Sequence, residues 1–310
     1  MTTLVLLLLL VIVVAAAPFL REALRPKMKN AVRQSATGDF INLSQGVTHY
    51  EWIGPVRGPV AVCIHGLTTP SAVWRGVAQG LSWMGYRVLI YDLFGRGYSD
   101  RPKGQQDVAF FQRQLNDLLE SQDIRDDITV IGYSMGGAIA TCFAAAQPGR
   151  VRQLILLAPA GMVSVRTRLL KYIHIPMLGD WLMLAFYPRR HLAETEAERG
   201  LPSSVPDIVD IQQNELRFQG FTPAVLASLR GLLSQPLETE HRTIHRAGVP
   251  VLAIWGQYDQ VIPLKSLGKL AEWSRNARQE VVPGAGHGLV YTHTDAVIED
   301  MRATLRESLI

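Results

Sequence analysis

Residues 128–137 read ITVIGYSMGG, and they decide the fold. Ile128 to Gly132 is a short apolar run rich in β-branched residues, the signature of a buried strand. Met135 to Ala146 follows as a run of small residues with Pro148 just beyond its end, which predicts a helix. Between them lies Gly132-Tyr133-Ser134-Met135-Gly136, so the chain must turn sharply from strand to helix at Ser134. Glycines two before and two after leave room for that turn. The N-terminus of the helix also favours negative charge beside the serine.

The same alternation extends on both sides. Val60–His65, Arg87–Asp92 ("RVLIYD") and Leu154–Ala158 ("LILLA") read as further buried strands, and Val249–Gly256 and Gln279–Val282 continue the series. Ser71–Trp83, Val108–Leu119 and about Thr294–Ser308 read as helices. Near-continuous apolar strands separated by helices predict a doubly wound α/β architecture, a mostly parallel sheet covered on both faces. An earlier strand near His49–Ile53 ("HYEWI") is expected at one edge. The alternation stops over 160–247, a helical stretch rich in Leu, Arg and Pro that begins and ends within one sheet. It reads as an inserted cap on a core of 45–159 and 248–310.

The N-terminus is of a different kind. Leu4 to Leu20 is uncharged and apolar, and as a helix these 17 residues span roughly 25 Å against a hydrocarbon core of roughly 30 Å. Segment 1–20 therefore reads as a membrane anchor or a signal segment. Ala15, Ala16 and Ala17 would suit a signal-peptide cleavage site, and the product would then be secreted or periplasmic. No Lys or Arg precedes the run, however, and Arg21, Arg25, Lys27, Lys29 and Arg33 follow it. That asymmetry favours a single-pass anchor leading into a basic linker, 21–44, with the globular body on the cytoplasmic side. Outside 21–33 the chain carries 26 basic and 26 acidic residues. The body is thus neutral, and no basic stripe argues for nucleic-acid binding. Cys63 and Cys142 lie in apolar stretches and read as small buried hydrophobes.

A serine is a weak nucleophile unless a base takes its proton and a third group orients that base. His287 lies in "PGAGHGLV", a glycine-rich loop after the last short strand, where a doubly wound sheet places its chemistry. Asp259, in "WGQYDQVIP", directly follows the strand "VPVLAI". The loop "LLAPAG" after the preceding strand carries no carboxylate, and Asp92 comes before the serine in chain order. Asp259 could also cap a short helix starting near Pro263. The order Ser134, Asp259, His287 is the one expected of a nucleophile elbow. His65-Gly66-Leu67 closes an early strand as an oxyanion loop would, so the expected oxyanion donors are the N–H groups of Leu67 and Met135. His241 and His245 lack the Glu of a zinc-binding H-E-x-x-H, and neither "GRG" at 95–97 nor "GAG" at 284–286 has dinucleotide spacing.

Together His65-Gly66, "YDLFGRGYSDRP" at 91–102, "GYSMGG" at 132–137 and the Asp259 and His287 loops resemble the α/β-hydrolase superfamily over residues 45–310. Within it the chain is similar to bacterial serine carboxylesterases and monoacylglycerol lipases, and to carbon–carbon bond hydrolases of aromatic ring-cleavage products. The resemblance implies an eight-stranded sheet with a helical cap, a Ser-His-Asp triad and no cofactor or metal. The expected activity is hydrolysis of an apolar acyl ester or monoacylglycerol, with an ester or lipid as the small-molecule partner and the membrane held by the N-terminal segment. Carbon–carbon hydrolysis by the same three residues, and a non-catalytic ligand receptor on the same fold, are the alternatives. Leu169–Pro188, rich in Leu, Met and aromatics, reads either as an apolar lid touching the bilayer or as ordinary packing over the core.

Overall fold

Five strands are buried on both faces, and their side chains divide by parity between two cores. In β3 (Val60–Ile64), Val62 and Ile64 pack on one side of the sheet and Ala61 and Cys63 on the other. The same division holds in β4 (Arg87–Tyr91), β5 (Ile128–Tyr133), β6 (Val151–Leu157) and β7 (Val251–Gly256). With β8 (Arg278–Val282) these strands are parallel. In this computed structural model, which describes residues 2–162 and 170–307, the eight-stranded sheet has the order β1-β2-β4-β3-β5-β6-β7-β8. Two antiparallel strands, β1 (Asp39–Leu43) and β2 (Gly46–Ile53), complete it at one side. The edge is thus β1, inside the segment expected to be linker, and "HYEWI" lies one strand in. Chain order reverses between β3 and β5, so the loops leaving those two strands open on the switch point where such sheets bind ligands.

The helices, in chain order, begin with α1 (Thr2–Ala23) and α2 (Asn30–Arg33). The sheet is covered by α3 (Arg75–Trp83), which continues a short 3-10 turn at Ser71–Trp74, by α4 (Val108–Ser121) and by α5 (Met135–Ala146). Between β6 and β7 come α6 (Leu170–Ile173), α7 (Leu178–Glu196), α8 (Ile208–Asn214), α9 (Phe221–Arg230) and α10 (Glu238–Arg246). The chain closes with α11 (Lys265–Trp273), α12 (Leu289–Thr292) and α13 (Thr294–Glu307). Leu169 and Ser308, at the margins of two expected segments, lie outside the described residues.

The α1 helix is longer than the uncharged run and spans about 33 Å at 1.5 Å per residue. Its apolar residues from Leu4 to Val14 are exposed. Its C-terminal end is not free. Glu22 is buried, pairs with Arg25 at 2.8 Å and accepts the Gly220 N–H at 2.6 Å. The Trp181 indole donates to the Val14 carbonyl at 3.2 Å, and Gln219 N–H to Pro26 O at 2.9 Å. Arg33 reaches Asp100 at 2.6 Å and the Tyr98 carbonyl at 2.9 Å. The basic segment is therefore fastened to the globular body by its own charged side chains.

Candidate active site

Ser134 sits between β5 and α5 with φ 54° and ψ −117°, a backbone region that costs an L-residue on the order of 1–3 kcal/mol. Three backbone bonds of 3.0 Å hold it there: Ser134 N–H to Leu157 O, and the Gly137 and Ala160 N–H groups to Ser134 O. The flanking glycines are required by crowding. A Cβ at Gly132 would collide with the Gly136 carbonyl, and one at Gly136 with the Ile64 carbonyl. The motif thus lets α5 press against β5 and β3 while the serine side chain turns out of the sheet.

The three residues expected to act together do meet. His287 Nε2 lies 3.0 Å from Ser134 Oγ, and His287 Nδ1 lies 2.7 Å from Asp259 Oδ2. Since a carboxylate only accepts, Nδ1 carries the proton and Nε2 is left to receive the serine's. Asp259 Oδ1 accepts the N–H groups of Val261 (2.8 Å) and Ile262 (2.7 Å). It therefore braces its own turn, and α11 starts further on, at Lys265. The loops after β7 and β8 are joined by Tyr258 N–H to Ala285 O at 2.8 Å and by Gly284 N–H to the Gln257 side chain at 2.9 Å. Tyr133, next to the serine, donates its hydroxyl to the His287 carbonyl at 3.0 Å.

Asp92 is occupied elsewhere. Its buried carboxylate accepts from His49 Nδ1 (2.7 Å), Ser71 N–H (2.7 Å) and Tyr98 N–H (2.9 Å). Burial pushes its pKa up, but the His49 bond and charge and the Ser71 N–H outweigh burial and hold it well below the usual carboxylate range. Burial pulls His49 down in turn, and the Asp92 bond and charge overcome it, so His49 is raised. The pair anchors the loop after β4 beneath the site.

Leu67 closes the loop after β3. Among the described residues neither its N–H nor that of Met135 donates to a recorded backbone or side-chain acceptor. His65, pushed down to about 4 by burial, is neutral; it accepts the Leu93 N–H at Nε2 (2.8 Å), and its Nδ1–H donates to Gly66 O (2.8 Å). Sequence patterns did not single out Arg96. It is fully buried, and it donates to Leu67 O (3.0 Å), Phe94 O (3.0 Å), Gln106 Oε1 (2.5 Å), Ala224 O (3.3 Å) and Ser228 Oγ (2.9 Å). One guanidinium so joins the Leu67 loop to α9. The only hint was a basic residue set between two glycines in an otherwise neutral turn.

Above Ser134 and His287 opens a cavity of about 740 Å³, a size suited to a small-molecule ligand. Its lining includes the apolar side chains of Ile173, Met183, Phe186, Val225, Leu229 and Leu233 and the polar ones of Arg190, Glu194, Glu198, Gln212 and Tyr291. No group of three or more His, Cys, Asp or Glu side chains able to hold a metal occurs among the described residues.

The sequence profile of the alpha/beta hydrolase fold matches residues 59–294, about three quarters of the chain. The chain belongs to the α/β hydrolase fold family. This hydrolase is 26% identical over 262 residues to the pimeloyl-[acyl-carrier protein] methyl ester esterase of Aliivibrio fischeri, covering 84% of this chain and 98% of that protein. Among solved structures it is similar to an esterase from Exiguobacterium antarcticum, with TM-score 0.72 and 22% identity over 87% of this chain and 100% of that one. It is also similar to a bacterial membrane phospholipase A, with TM-score 0.71 and 21% identity over 99% of both chains. These two structural likenesses bear on the fold alone.

Proposed function

We propose that this hydrolase is a serine esterase that cleaves carboxylic esters of apolar acyl chains, with Ser134 as nucleophile, His287 as base and Asp259 as its orienting acid. The observation that carries this is the unbroken path from Ser134 Oγ through both His287 nitrogens to Asp259, at 3.0 and 2.7 Å. Ser134 Oγ attacks the ester carbonyl as His287 Nε2 takes its proton. The resulting oxyanion is met by the Leu67 and Met135 N–H groups. The imidazolium, stabilised by Asp259, returns the proton to the departing alcohol, leaving an acyl group on Ser134. Water activated by the same imidazole then releases the acid. The pimeloyl ester specificity in the name of the Aliivibrio relative runs in the same direction, toward esters.

The apolar side chains of the cavity lining support an aliphatic acyl chain. Residues 160–247 then serve as the cap over the bound chain. We also infer that α1 is a membrane anchor: it is long enough to cross a bilayer, its outer residues are exposed, and basic residues follow it. The positive-inside tendency supports an esterase body on the cytoplasmic side. A fluorophosphonate probe should label the wild type and not Ser134→Ala. A chain-length series of esters should show turnover, with Ser134→Ala, His287→Ala and Asp259→Ala each losing on the order of 10³ or more in kcat and without additivity. A protein that takes no probe and turns over no ester in the series would refute the assignment.

A further inference from the structure

His287 needs more bracing than its own segment supplies. It sits between Gly286 and Gly288 in the loop 283–288, and these neighbours add no side-chain packing. Asp259 holds the imidazole at 2.7 Å, but that bond fixes the ring and not the chain that carries it. The bonds that join Tyr258 and Gln257 to this loop reach Ala285 and Gly284, short of His287 itself. Among the described residues the His287 carbonyl accepts one hydrogen bond, from the hydroxyl of Tyr133, 154 positions earlier, at 3.0 Å.

Tyr133 itself has little freedom. It is the last residue of β5, pairs with Leu157 of β6, and is buried. Trp74 meets its ring edge-on, with centroids 6.5 Å apart and planes at 85°. On another side the ring stands at contact distance from Gly66, where a Cβ would lie 3.4 Å from both Tyr133 Cδ1 and Ser134 Cβ. Its remaining neighbour is the imidazole: the Tyr133 and His287 ring centroids are 5.3 Å apart, with the planes at 34°. One side chain thus holds the base twice, its backbone through the hydroxyl and its imidazole through the ring. Burial keeps the phenol well above its ordinary pKa, so the hydroxyl remains a donor.

Tyr133 is also the neighbour of Ser134. The serine and the brace on His287 therefore leave the same strand end, and the 3.0 Å between Ser134 Oγ and His287 Nε2 is spanned within one frame. That distance matters, because a base acts only within hydrogen-bond reach and a misplacement of about 1 Å costs on the order of 10²-fold in rate. In a G-x-S-x-G turn the residue before the serine need only join glycine to serine. Here it also reaches across to the loop of the base. We infer that Tyr133 is a positioning residue for the reaction: its hydroxyl and ring together set the place of the His287 imidazole relative to Ser134. This rests on the esterase reading, since Tyr133 acts only through the Ser134–His287 pair. Phenylalanine keeps the ring and loses the hydrogen bond, so the two contributions can be separated.

The test compares the full-length chain in detergent with its Tyr133→Phe and Tyr133→Leu variants. Tyr133→Phe should lose on the order of tenfold in kcat with KM within about twofold, the effect of one hydrogen bond that serves only the transition state. Tyr133→Leu, which loses the ring as well, should lose on the order of 10²-fold. Fluorophosphonate labelling needs the base but no leaving alcohol, and its rate should fall by the same factors. The His287 Nδ1 proton shared with Asp259 should give a low-field proton NMR signal in the wild type that is broadened by solvent exchange in Tyr133→Phe. Trp273→Phe, a buried change on α11 outside the cavity lining, serves as the control and should leave all three readouts as in the wild type. Three results would overturn the inference. One is a Tyr133→Phe protein with wild-type kcat, labelling rate and low-field signal. Another is a raised KM with kcat unchanged, which would make the hydroxyl a substrate contact. The third is a loss in Trp273→Phe equal to that in Tyr133→Phe, which would mark the effect as general destabilisation. In a protein that turns over no ester, a low-field signal broadened in Tyr133→Phe alone would retain the positioning role and remove the esterase reading.

Discussion

Arg96→Met should destabilise this hydrolase severely, and Arg96→Lys should not rescue it. The native guanidinium makes five hydrogen bonds in a fully buried site, and among the described residues none goes to a carboxylate. At roughly 1.5–3 kcal/mol for a bond to a charged group, the five together offer about 7–15 kcal/mol. Against this stands the cost of burying the charge. Burial brings the Arg96 guanidinium down to about 9 from 12.5, equivalent to on the order of 5 kcal/mol. Methionine removes the bonds and also the cost, so the net loss is about 3–5 kcal/mol once partial relaxation is allowed. At roughly 2–4 °C per kcal/mol for a domain of this size, Tm should fall by about 10 °C. Lysine keeps the charge, and so the cost, but its ammonium cannot span five acceptors arranged around a planar fork. Its Tm should be no higher than that of the methionine variant. The Leu67 carbonyl is among the freed groups, so fluorophosphonate labelling at 25 °C should slow in both variants while the protein is still folded. The assays are thermal melts by circular dichroism and a labelling time course. A methionine variant within about 3 °C of wild type, or a lysine variant restored to wild-type Tm, would show that this network is not what holds the loop.

Ser134→Gly should abolish activity yet raise stability by about 1–2 kcal/mol in a denaturant titration, because glycine adopts φ 54° without strain; a Ser134→Gly protein less stable than Ser134→Ala would contradict this. Burial pushes Glu215 up to about 7 despite the Arg101 guanidinium 3.1 Å away, so the folded state holds this proton more tightly than the unfolded chain does. That stability is full below the unfolded value near 4.5 and is lost as pH rises through about 7, so the fall in Tm between pH 5 and 8 should be smaller in Glu215→Gln than in wild type. Deleting residues 2–20 should release the protein from membranes that otherwise retain it through a high-salt wash, with Tm lowered by no more than about 2 °C, because the tie it removes, Trp181 to the Val14 carbonyl, is exposed. Extending the deletion to residue 33 should lower Tm by several degrees, because Glu22 and Arg33 are fastened to the body.

The parts of the fold legible in the sequence were those whose burial is complete. The strands β3 to β7 are apolar along nearly their whole length because both faces are covered, and each could be read within a few residues. By contrast β1 has only half-buried and exposed positions and sits in the charged segment after α1, so no apolar run marked it. The turn at Ser134 was legible because its constraint is local: glycines at 132 and 136 are forced by carbonyls within a few residues or on the adjacent strand. Asp259 and His287 were legible from their places after strands. Arg96 and Glu198 were not, because most of their partners lie tens to over a hundred residues away, and a charged residue in a sequence gives no sign of whether its partner is water, a buried carbonyl or a hydroxyl.

Those long-range partners share a pattern that bears on how the inserted helices behave. Arg96 reaches Ala224 and Ser228 on α9, and Arg101 reaches Glu215 and the Phe218 carbonyl. Glu215 accepts the Gly97 N–H at 3.0 Å, Tyr291 meets Glu198, and Glu22 meets Gly220. Each tie runs from the sheet side or the N-terminal segment into 198–228, and most are buried and charge-assisted, the stronger kind of hydrogen bond. Breaking one leaves a buried charge or carbonyl without its partner, which costs more than the bond contributes when made. Residues 198–228 are therefore held to the sheet as firmly as a core helix. The polar ties of α6 and the start of α7 do not reach the sheet: Arg230 bonds Asp180 and the Ile173 carbonyl within the insert, and Trp181 bonds the Val14 carbonyl of α1 at an exposed position. Opening the cavity to a long acyl chain should consequently displace α6 and the first turns of α7, which carry Ile173, Met183 and Phe186, and leave α8 and α9 in place over the Leu67 loop.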